Sequence, residues 1–581
     1  MRKLIKYLRH YKKESVIGPL FKLLEASFEL LIPLVMAGIV DKGIRERDTG
    51  YILSMGGLMI GLGVLGLICS LTAQYFAAKA AVGFGTELRK DMFAHISSLS
   101  YTELDALGTS TLVTRITSDI NQAQAGVNLV LRLFLRSPFI VVGAVLMAFS
   151  INAGLALIFV VLVPLLSLII FGVMRASIPV YRQVQNRLDN VLLATRENLA
   201  GARVIRAFSR QKAEMAEFDS QSQLLMKTQL LVGKISALMN PATYAVVNGA
   251  ILLILWQGGR TVYNGVITQG ELIALINYMT QILLALVALA NLIITFTKAS
   301  ASAIRINEVF AETSDMAQPL QSAHQAFSGQ AGAAPAVEFR GVYFAYRGNE
   351  DALSDITFAV KRGQTMGIIG GTGSGKSSVV NLIPRFYDVR EGSVLVDGCN
   401  VKDYRFEDLR SVIGIVPQNA VLFAGTIREN MRWRKPDASD EEILRALEIA
   451  QARDFVEAKP EGLDTRVSQG GKNFSGGQRQ RLTIARALVG DPKILIMDDS
   501  ASALDFATDA RLRRAIAKNT EDMTVFIVSQ RASAIRNADC ILVLDDGEAA
   551  GLGTHSELME SCEVYREICQ SQTDEKETKR A

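Results

Sequence analysis

The feature that most limits how this chain can fold is a run without charge. Residues 137–174 read SPFIVVGAVLMAFSINAGLALIFVVLVPLLSLIIFGVM, with no Asp, Glu, Lys or Arg. A helix crosses the hydrocarbon of a bilayer in about 20 apolar residues, so this stretch holds two crossings, with SINAG at 150–154 as the turn between them. Comparable runs lie near residues 16–40, 52–78, 238–257 and 271–296, which brings the expectation to six spans. A buried soluble helix would explain any one of them. It does not explain the recurrence, because core helices of soluble domains seldom need so long an apolar run.

The 581 residues exceed what one hydrophobic core holds, and 49% hydrophobic with 21% charged residues is the average of an oily half and a soluble half. A net charge of +4, with no basic run interleaved with aromatics, gives no support to nucleic acid as a partner. Cys69, Cys399, Cys540, Cys562 and Cys569 are scattered, without CxxC or histidines at ligand spacing. They read as isolated reduced thiols rather than a zinc site or disulfide framework.

Basic residues set the expected topology. The first 13 positions, MRKLIKYLRHYKK, carry six Lys or Arg and no acid, as a cytoplasmic flank does. Leu4, Ile5, Leu8 and Tyr11 fall on one α-helical face, which predicts an amphipathic helix on the inner membrane surface rather than a cleavable signal. Residues 41–50, 150–154 and 258–270 are then short outer loops. Residues 80–127 and 176–236 lack Pro or Gly clusters and should continue the spans into the cytoplasm as helical rods.

Charged and polarisable residues in the spans allow two readings each. Glu25 and Glu29 share a face of the first span, where hydrocarbon solvates a carboxylate poorly. They either meet a cationic cargo or pair locally, Glu25 with Lys22 three residues before it. Arg132 and Arg136 mark the inner interface. Met36, Phe149, Met174, Tyr278 and Met279 either line a lipophilic cavity or fill space.

After the last span, ETSDMAQPLQSAHQAFSGQAGAAP has the bias of a linker, and a soluble domain follows. There MGIIGGTGSGKSSVVNLI runs from an apolar strand through Gly370, Gly371, Thr372, Gly373, Ser374, Gly375, Lys376 and Ser377 into a helix that continues with Ser378. The glycines let backbone N–H groups turn toward phosphate oxygens, Lys376 supplies charge to the outer phosphates, and Ser377 can ligate Mg²⁺. Further on, KILIMDD ends a hydrophobic strand in Asp498, placed to hold Mg²⁺, and Asp499. Between them, NFSGGQRQRLTIARAL opens a helix at Ser475, Gly476 and Gly477, an end that attracts anions. Alone, that is only a helix cap.

Together these motifs resemble those of the ATP-binding cassette (ABC) exporters, across nearly the whole chain. The resemblance implies an all-α six-helix transmembrane domain of the type I/type IV exporter fold, followed by an α/β P-loop nucleotide-binding domain. It divides the chain into a transmembrane domain at 1–311, a linker at 312–336, an ATP-binding domain at 337–570 and a disordered tail at 571–581. It implies that Tyr346 of VYFAY stacks on adenine and that Gln418 of IVPQN is the lid glutamine beside the metal. FSGGQ, with Ser475, Gly476, Gly477 and Gln478, is then the signature, and SALD carries Asp505. ELDALGTSTLVTRITSDI and RENLAGARVIRAF match the coupling segments. In this family two cassettes meet head to tail, so each ATP lies between one phosphate loop and the other signature. ATP and Mg²⁺ are the implied ligands, a hydrophobic small molecule the implied cargo, and the cell membrane the implied location.

Two positions depart from the family pattern. Asp499 stands where the family has a glutamate that polarises the attacking water, and Gln530 where it has a histidine that contacts the terminal phosphate. Aspartate is one methylene shorter, and a misplacement of about 1 Å can cost about 10²-fold in rate. An amide donates a hydrogen bond but carries no proton charge. None of His10, His95, His324 and His555 is close enough in sequence to replace it. The expectation is the degenerate-site half of a heterodimeric exporter, its partner a different chain with Glu and His intact. A homodimer with two Asp-based sites and a nucleotide-gated regulatory subunit are the alternatives.

Overall fold

A computed structural model describes residues 2–314, 316–319, 334–346, 348, 350–500, 504–519 and 522–578. Most of the expected linker, His324, Ser502 and Ala503 lie outside these residues. The chain divides into two units, Met1–Ser97 with Thr109–Glu312, and Ser98–Gly108 with Thr313–Ala581.

Among the described residues the first unit contains six helices long and apolar enough to cross a membrane: Lys3–Ile44, Thr49–Ser98, Thr109–Ile151, Ala153–Ala200, Gln211–Tyr263 and Gln269–Ala311. At 1.5 Å per residue the 50-residue second helix is about 75 Å long, more than twice a hydrocarbon core of about 30 Å. The polar stretches at 80–127 and 176–236 are thus largely helical, as their composition predicts. Small residues let these helices approach closely. Ala144, Ala148 and Ala156 are fully buried, and a Cβ on Gly258 would sit 2.5 Å from Leu272 Cδ1.

Proline shapes the first span. Pro33 has no N–H, so the carbonyl four residues earlier, that of Glu29, loses its helical donor. In hydrocarbon such a group needs a partner inside the protein. The last span supplies it: Gln281 Nε2 donates to Glu29 O at 3.3 Å, and one turn away Tyr278 O–H donates to Leu30 O at 2.7 Å. Tyr278 and Met279 are fully buried in this contact, which removes them as cavity lining, whereas Met36 and Phe149 are exposed. At the start of the last span, Asp41 accepts from Gly270 N–H at 2.8 Å and from the Thr268 hydroxyl at 2.5 Å. A carboxylate there satisfies first-turn donors and complements the helix dipole.

The carboxylates of the first span have basic neighbours. Lys22 Nζ lies 2.5 Å from Glu25, the local pairing expected, while Glu29 meets Arg136 Nη2 at 2.7 Å across to another helix. The amino-terminal segment differs from expectation. Arg2–Tyr11 is a 3-10 helix, with about three residues per turn, and its inward residues are Leu4 and Tyr7 while Ile5 is exposed. The face of Leu4, Ile5, Leu8 and Tyr11 assumed 3.6 residues per turn.

The second unit is α/β. Its strands are β1 (Val337–Phe344), β2 (Leu353–Val360), β3 (Thr365–Gly370), β4 (Glu391–Val396), β5 (Cys399–Asn400) and β6 (Ile413–Val416). They continue with β7 (Gly425–Thr426), β8 (Arg466–Val467), β9 (Ile494–Asp498), β10 (Thr524–Val528), β11 (Cys540–Asp545) and β12 (Glu548–Gly553). The main sheet has the order β12-β11-β3-β10-β9-β6, parallel except for β12. TMGIIG, ILIMD and TVFIV are buried almost throughout, because a parallel sheet is covered on both faces. An antiparallel sheet, β2-β1-β4-β5, completes the first core.

Two limits differ from those read in sequence. Ser98–Gly108 belongs to the second unit, where Tyr387 O–H donates to Asp105 at 2.7 Å and Tyr101 packs on Phe386 with ring centroids 4.6 Å apart. The last helix runs Glu563–Thr578, so the tail expected to be disordered from 571 is helical through Thr578.

The proline argument gives a measurable cycle. Gln281→Leu should lower stability in detergent by about 0.5–1.5 kcal/mol. In a Pro33→Ala background, where residue 33 again donates to Glu29, the penalty should shrink. Thermal unfolding of the four proteins checks this, and equal penalties in both backgrounds would show that Gln281 does not answer the missing donor.

Candidate functional site

Parallel register gathers the site. Val528 pairs with Asp498, Val416 with Met497, and Val528 with Ile368, so β6, β9, β10 and β3 end at one edge of the sheet. The loops beyond those ends carry Gln418, Asp499, Gln530 and the phosphate loop, where open α/β sheets bind their ligands.

The phosphate loop joins β3 to the helix Lys376–Leu382. Gly375 caps that helix at φ 89°, a left-handed conformation, and its Cβ would lie 2.6 Å from Leu353 Cδ2. Gly371 and Gly373 are different: a Cβ on either meets nothing within 4 Å. Their side of the loop is open, as a cradle for phosphate oxygens requires. Lys376 Nζ donates to Gly370 O at 3.1 Å, to Ser374 Oγ at 3.3 Å and to Gly371 O. Burial pushes its pKa below the usual lysine value, against the pull of Asp499 and Asp498. An ammonium held by neutral oxygens gains when anionic ones replace them.

Ser377 Oγ donates to Asp498 Oδ1 at 2.9 Å. Asp498 is buried, and burial raises its pKa, aided by Asp499 and opposed by Ser377 and Lys376. A buried carboxylate with so little compensation suits a cation, so the Ser377 hydroxyl and Asp498 carboxylate fit Mg²⁺, while Gln418, exposed, reaches the neighbouring Asp499. Asp499 has φ 40°, sparsely populated for a non-glycine residue, and its N–H donates to Val528 O at 3.1 Å. Burial raises its pKa too, while the charges of Arg531 and Lys376 and a hydrogen bond from Gln418 oppose the shift.

Tyr346 is half-exposed, with its hydroxyl 2.9 Å from Ser378 Oγ and its ring edge-on to Phe344 and Tyr387. That fixes the ring while leaving it open to stacking. Thr372 lies in the open part of the loop, exposed to solvent. Gln530 is exposed two residues beyond β10.

The signature forms a separate feature. Ser475 caps the helix Gly476–Leu488 through a reciprocal box with Gln478, Ser475 N–H to Gln478 Oε1 at 3.0 Å and Gln478 N–H to Ser475 Oγ at 3.3 Å. Among the described residues, none of Ser475, Gly476, Gly477 and Gln478 hydrogen-bonds to the phosphate loop. A Cβ on Gly476 would meet nothing within 4 Å. Asp505 accepts from Thr508 N–H at 2.9 Å, and backbone hydrogen bonding holds its carboxyl below the usual range.

A family model for the ABC transporter transmembrane region matches residues 15–286, and an ABC transporter family model matches residues 353–502. The uncharacterised ABC transporter ATP-binding protein YfiB of Bacillus subtilis is 37% identical over 573 residues, covering 98% of each chain. The chain belongs to the ABC transporter family. Another Bacillus subtilis relative, YgaD, provisionally named a multidrug export ATP-binding/permease protein, is 31% identical over 582 residues and 98% of each chain. The ATP-dependent lipid A-core flippase of Desulfotalea psychrophila is 30% identical, over 96% of this chain and 97% of that one. A bacterial Atm1-family ABC exporter, solved with ATP bound, shares the fold at TM-score 0.77 and 24% identity, covering 97% of this chain and 98% of that one. The protein is therefore an integral membrane ABC transporter, with six helices among the described residues long and apolar enough to cross a membrane, and with an ABC ATPase domain.

Two residues beside this transporter's site carry no sequence motif. Arg531 acts on the charge of Asp499, and its place next to Gln530 was a usable sign. Gln572 hydrogen-bonds to the Gln530 backbone from 42 residues away, a distance at which no local pattern helps.

Because Gly476 has free space around it, Gly476→Ala should leave the unfolding temperature unchanged or slightly raised, alanine being up to about 1 kcal/mol the better helix former. A fall in ATP turnover at that unchanged stability would show that the open space at Gly476 is used in the reaction cycle. Thermal unfolding and ATPase assays on one preparation check the split.

Proposed function

We propose that this chain is one half of a heterodimeric exporter for hydrophobic small molecules, and that its own phosphate loop retains ATP while cleaving it slowly. The observation that carries the reading is the pairing of complete binding groups with altered groups nearest the chemistry. Tyr346, Lys376, Ser377, Ser378, Gln418 and Asp498 are present with partners suited to a nucleotide, while Asp499 and Gln530 replace glutamate and histidine. Lys376 and the backbone of Gly371–Gly373 take the phosphates, and Ser377, Gln418 and Asp498 hold Mg²⁺. The metal, when bound, supplies positive charge against the outer phosphate oxygens.

Asp499 orients the attacking water from one methylene further back, with its backbone held at φ 40° and its carboxyl hydrogen-bonded by Gln418. Gln530 offers an amide N–H to the terminal phosphate, a neutral donor where an imidazolium would carry charge. Both replacements lower transition-state stabilisation more than ground-state binding. The signature has the opposite character, being intact and open, with Ser475 fixed by its capping box and Gly476 unobstructed. It completes the competent site of a partner whose chain keeps Glu and His. ATP binding then brings the two cassettes together and hydrolysis at the competent site separates them, with the ATP-binding domain and amino terminus cytoplasmic. The names of YgaD and the lipid A-core flippase support a hydrophobic cargo, exported or flipped.

In the assembled heterodimer, Asp499→Asn should keep most ATP turnover and Ser475→Arg should remove most of it. The reverse ranking, measured by steady-state phosphate release, would place the working site on this chain's own phosphate loop. Restoring the family residues with Asp499→Glu and Gln530→His should raise single-turnover cleavage at the retained site by about 10²-fold. No gain would show that the two replacements are not what slows it.

A further inference from the structure

The last helix carries a group that no motif predicts. From Glu563–Thr578, Gln572 reaches the loop that follows β10 and makes two backbone hydrogen bonds there. Its Nε2 donates to Gln530 O at 2.7 Å, and its Oε1 accepts from Ala532 N–H at 2.9 Å. One amide thus brackets Arg531 and holds the peptide groups on both of its sides. The rest of the loop is tied to β3 and to itself: Ser529 N–H donates to Ile368 O at 3.1 Å, and Arg531 N–H to Ser529 Oγ at 3.0 Å.

The helix that bears Gln572 is itself anchored. Tyr565, Cys569 and Gln572 follow at spacings of four and three, one stripe of an α-helix. Tyr565 is fully buried against a cluster that includes Ala532, Ala534 and Ile535, and its hydroxyl lies 2.9 Å from His555 Nδ1. Burial there keeps the helix in place, so the amide of Gln572 meets the loop in a preset geometry. A hydrogen bond from an anchored side chain restrains the loop more than one from a mobile side chain, because less entropy is lost in forming it.

We infer that Gln572 is a positioning residue for the terminal phosphate of ATP: through the Gln530 and Ala532 backbone it sets where the Gln530 side chain can donate. This rests on the reading of Gln530 as the terminal-phosphate contact. The clamp acts on ATP and leaves ADP alone, since ADP lacks the phosphate that Gln530 would meet. A merely structural contact would change both nucleotides together.

The test uses the full-length transporter in nanodiscs and measures release of bound MgATP and MgADP from this chain's site by fluorescent-nucleotide chase. Gln572→Leu should speed MgATP release about five-fold, the scale of one hydrogen bond's net contribution, with MgADP release unchanged. The near-isosteric Gln572→Glu keeps an acceptor for Ala532 N–H, loses the donor to Gln530 O and guards against misfolding; it should show the same ATP-selective change at an unaltered unfolding temperature. Gln530→Ala should speed MgATP release as well, and adding Gln572→Leu to it should change little more, because both act through one contact. Equal effects on MgATP and MgADP, or additive effects in the double variant, would overturn the clamp while leaving the role of Gln530 intact. No effect of Gln530→Ala would overturn both.

Discussion

Parallel pairing of β6, β9, β10 and β3 is the constraint on which the candidate site depends. The four strands are nearly free of polar side chains and pack inside a core on both faces, so their register is fixed by burial rather than by anything at the site. Once that register is set, the residues just beyond the strand ends have no freedom to separate. Gln418, Asp498, Asp499, Gln530 and the phosphate loop, which span more than 150 positions of sequence, converge for that reason.

Within the converged site, charge is compensated only in part, and the shortfall is informative. Lys376 rests on carbonyl and hydroxyl oxygens, and Asp498 rests on one serine hydroxyl. Burial pushes the lysine pKa down and the aspartate pKa up, each toward its neutral form. A triphosphate with its divalent cation supplies the missing charge of both signs.

The first unit obeys a different rule. Its helices sit where no water answers a stray backbone group, so each irregularity calls for a local remedy. Within the first span, Pro33 frees a carbonyl and Gln281 donates to it. Glu25 and Glu29, two acids that sequence alone left open as cargo contacts, meet Lys22 and Arg136. Tyr278 and Met279 fill the contact between spans instead of facing a cavity.

Much of this protein was written in local pattern. The length and repetition of apolar runs determined six spans, the glycine spacing before Lys376 determined a phosphate loop, and the end of ILIMD determined the acidic strand end, because each depends on residues within one element. That Asp499 and Gln530 stand where a glutamate and a histidine are expected came from the resemblance to ABC exporters, not from any pattern within one element. Tertiary structure decided what depends on distant partners: the pairing of Glu29 with Arg136, the three-residue turn that buries Leu4 and Tyr7, the membership of Ser98–Gly108 in the second unit, and the reach of Gln572 to Gln530. Local sequence sets the hydrogen bonds and apolar face of a single helix or strand. Which side chains meet across elements is settled only when packing fixes the distance between them.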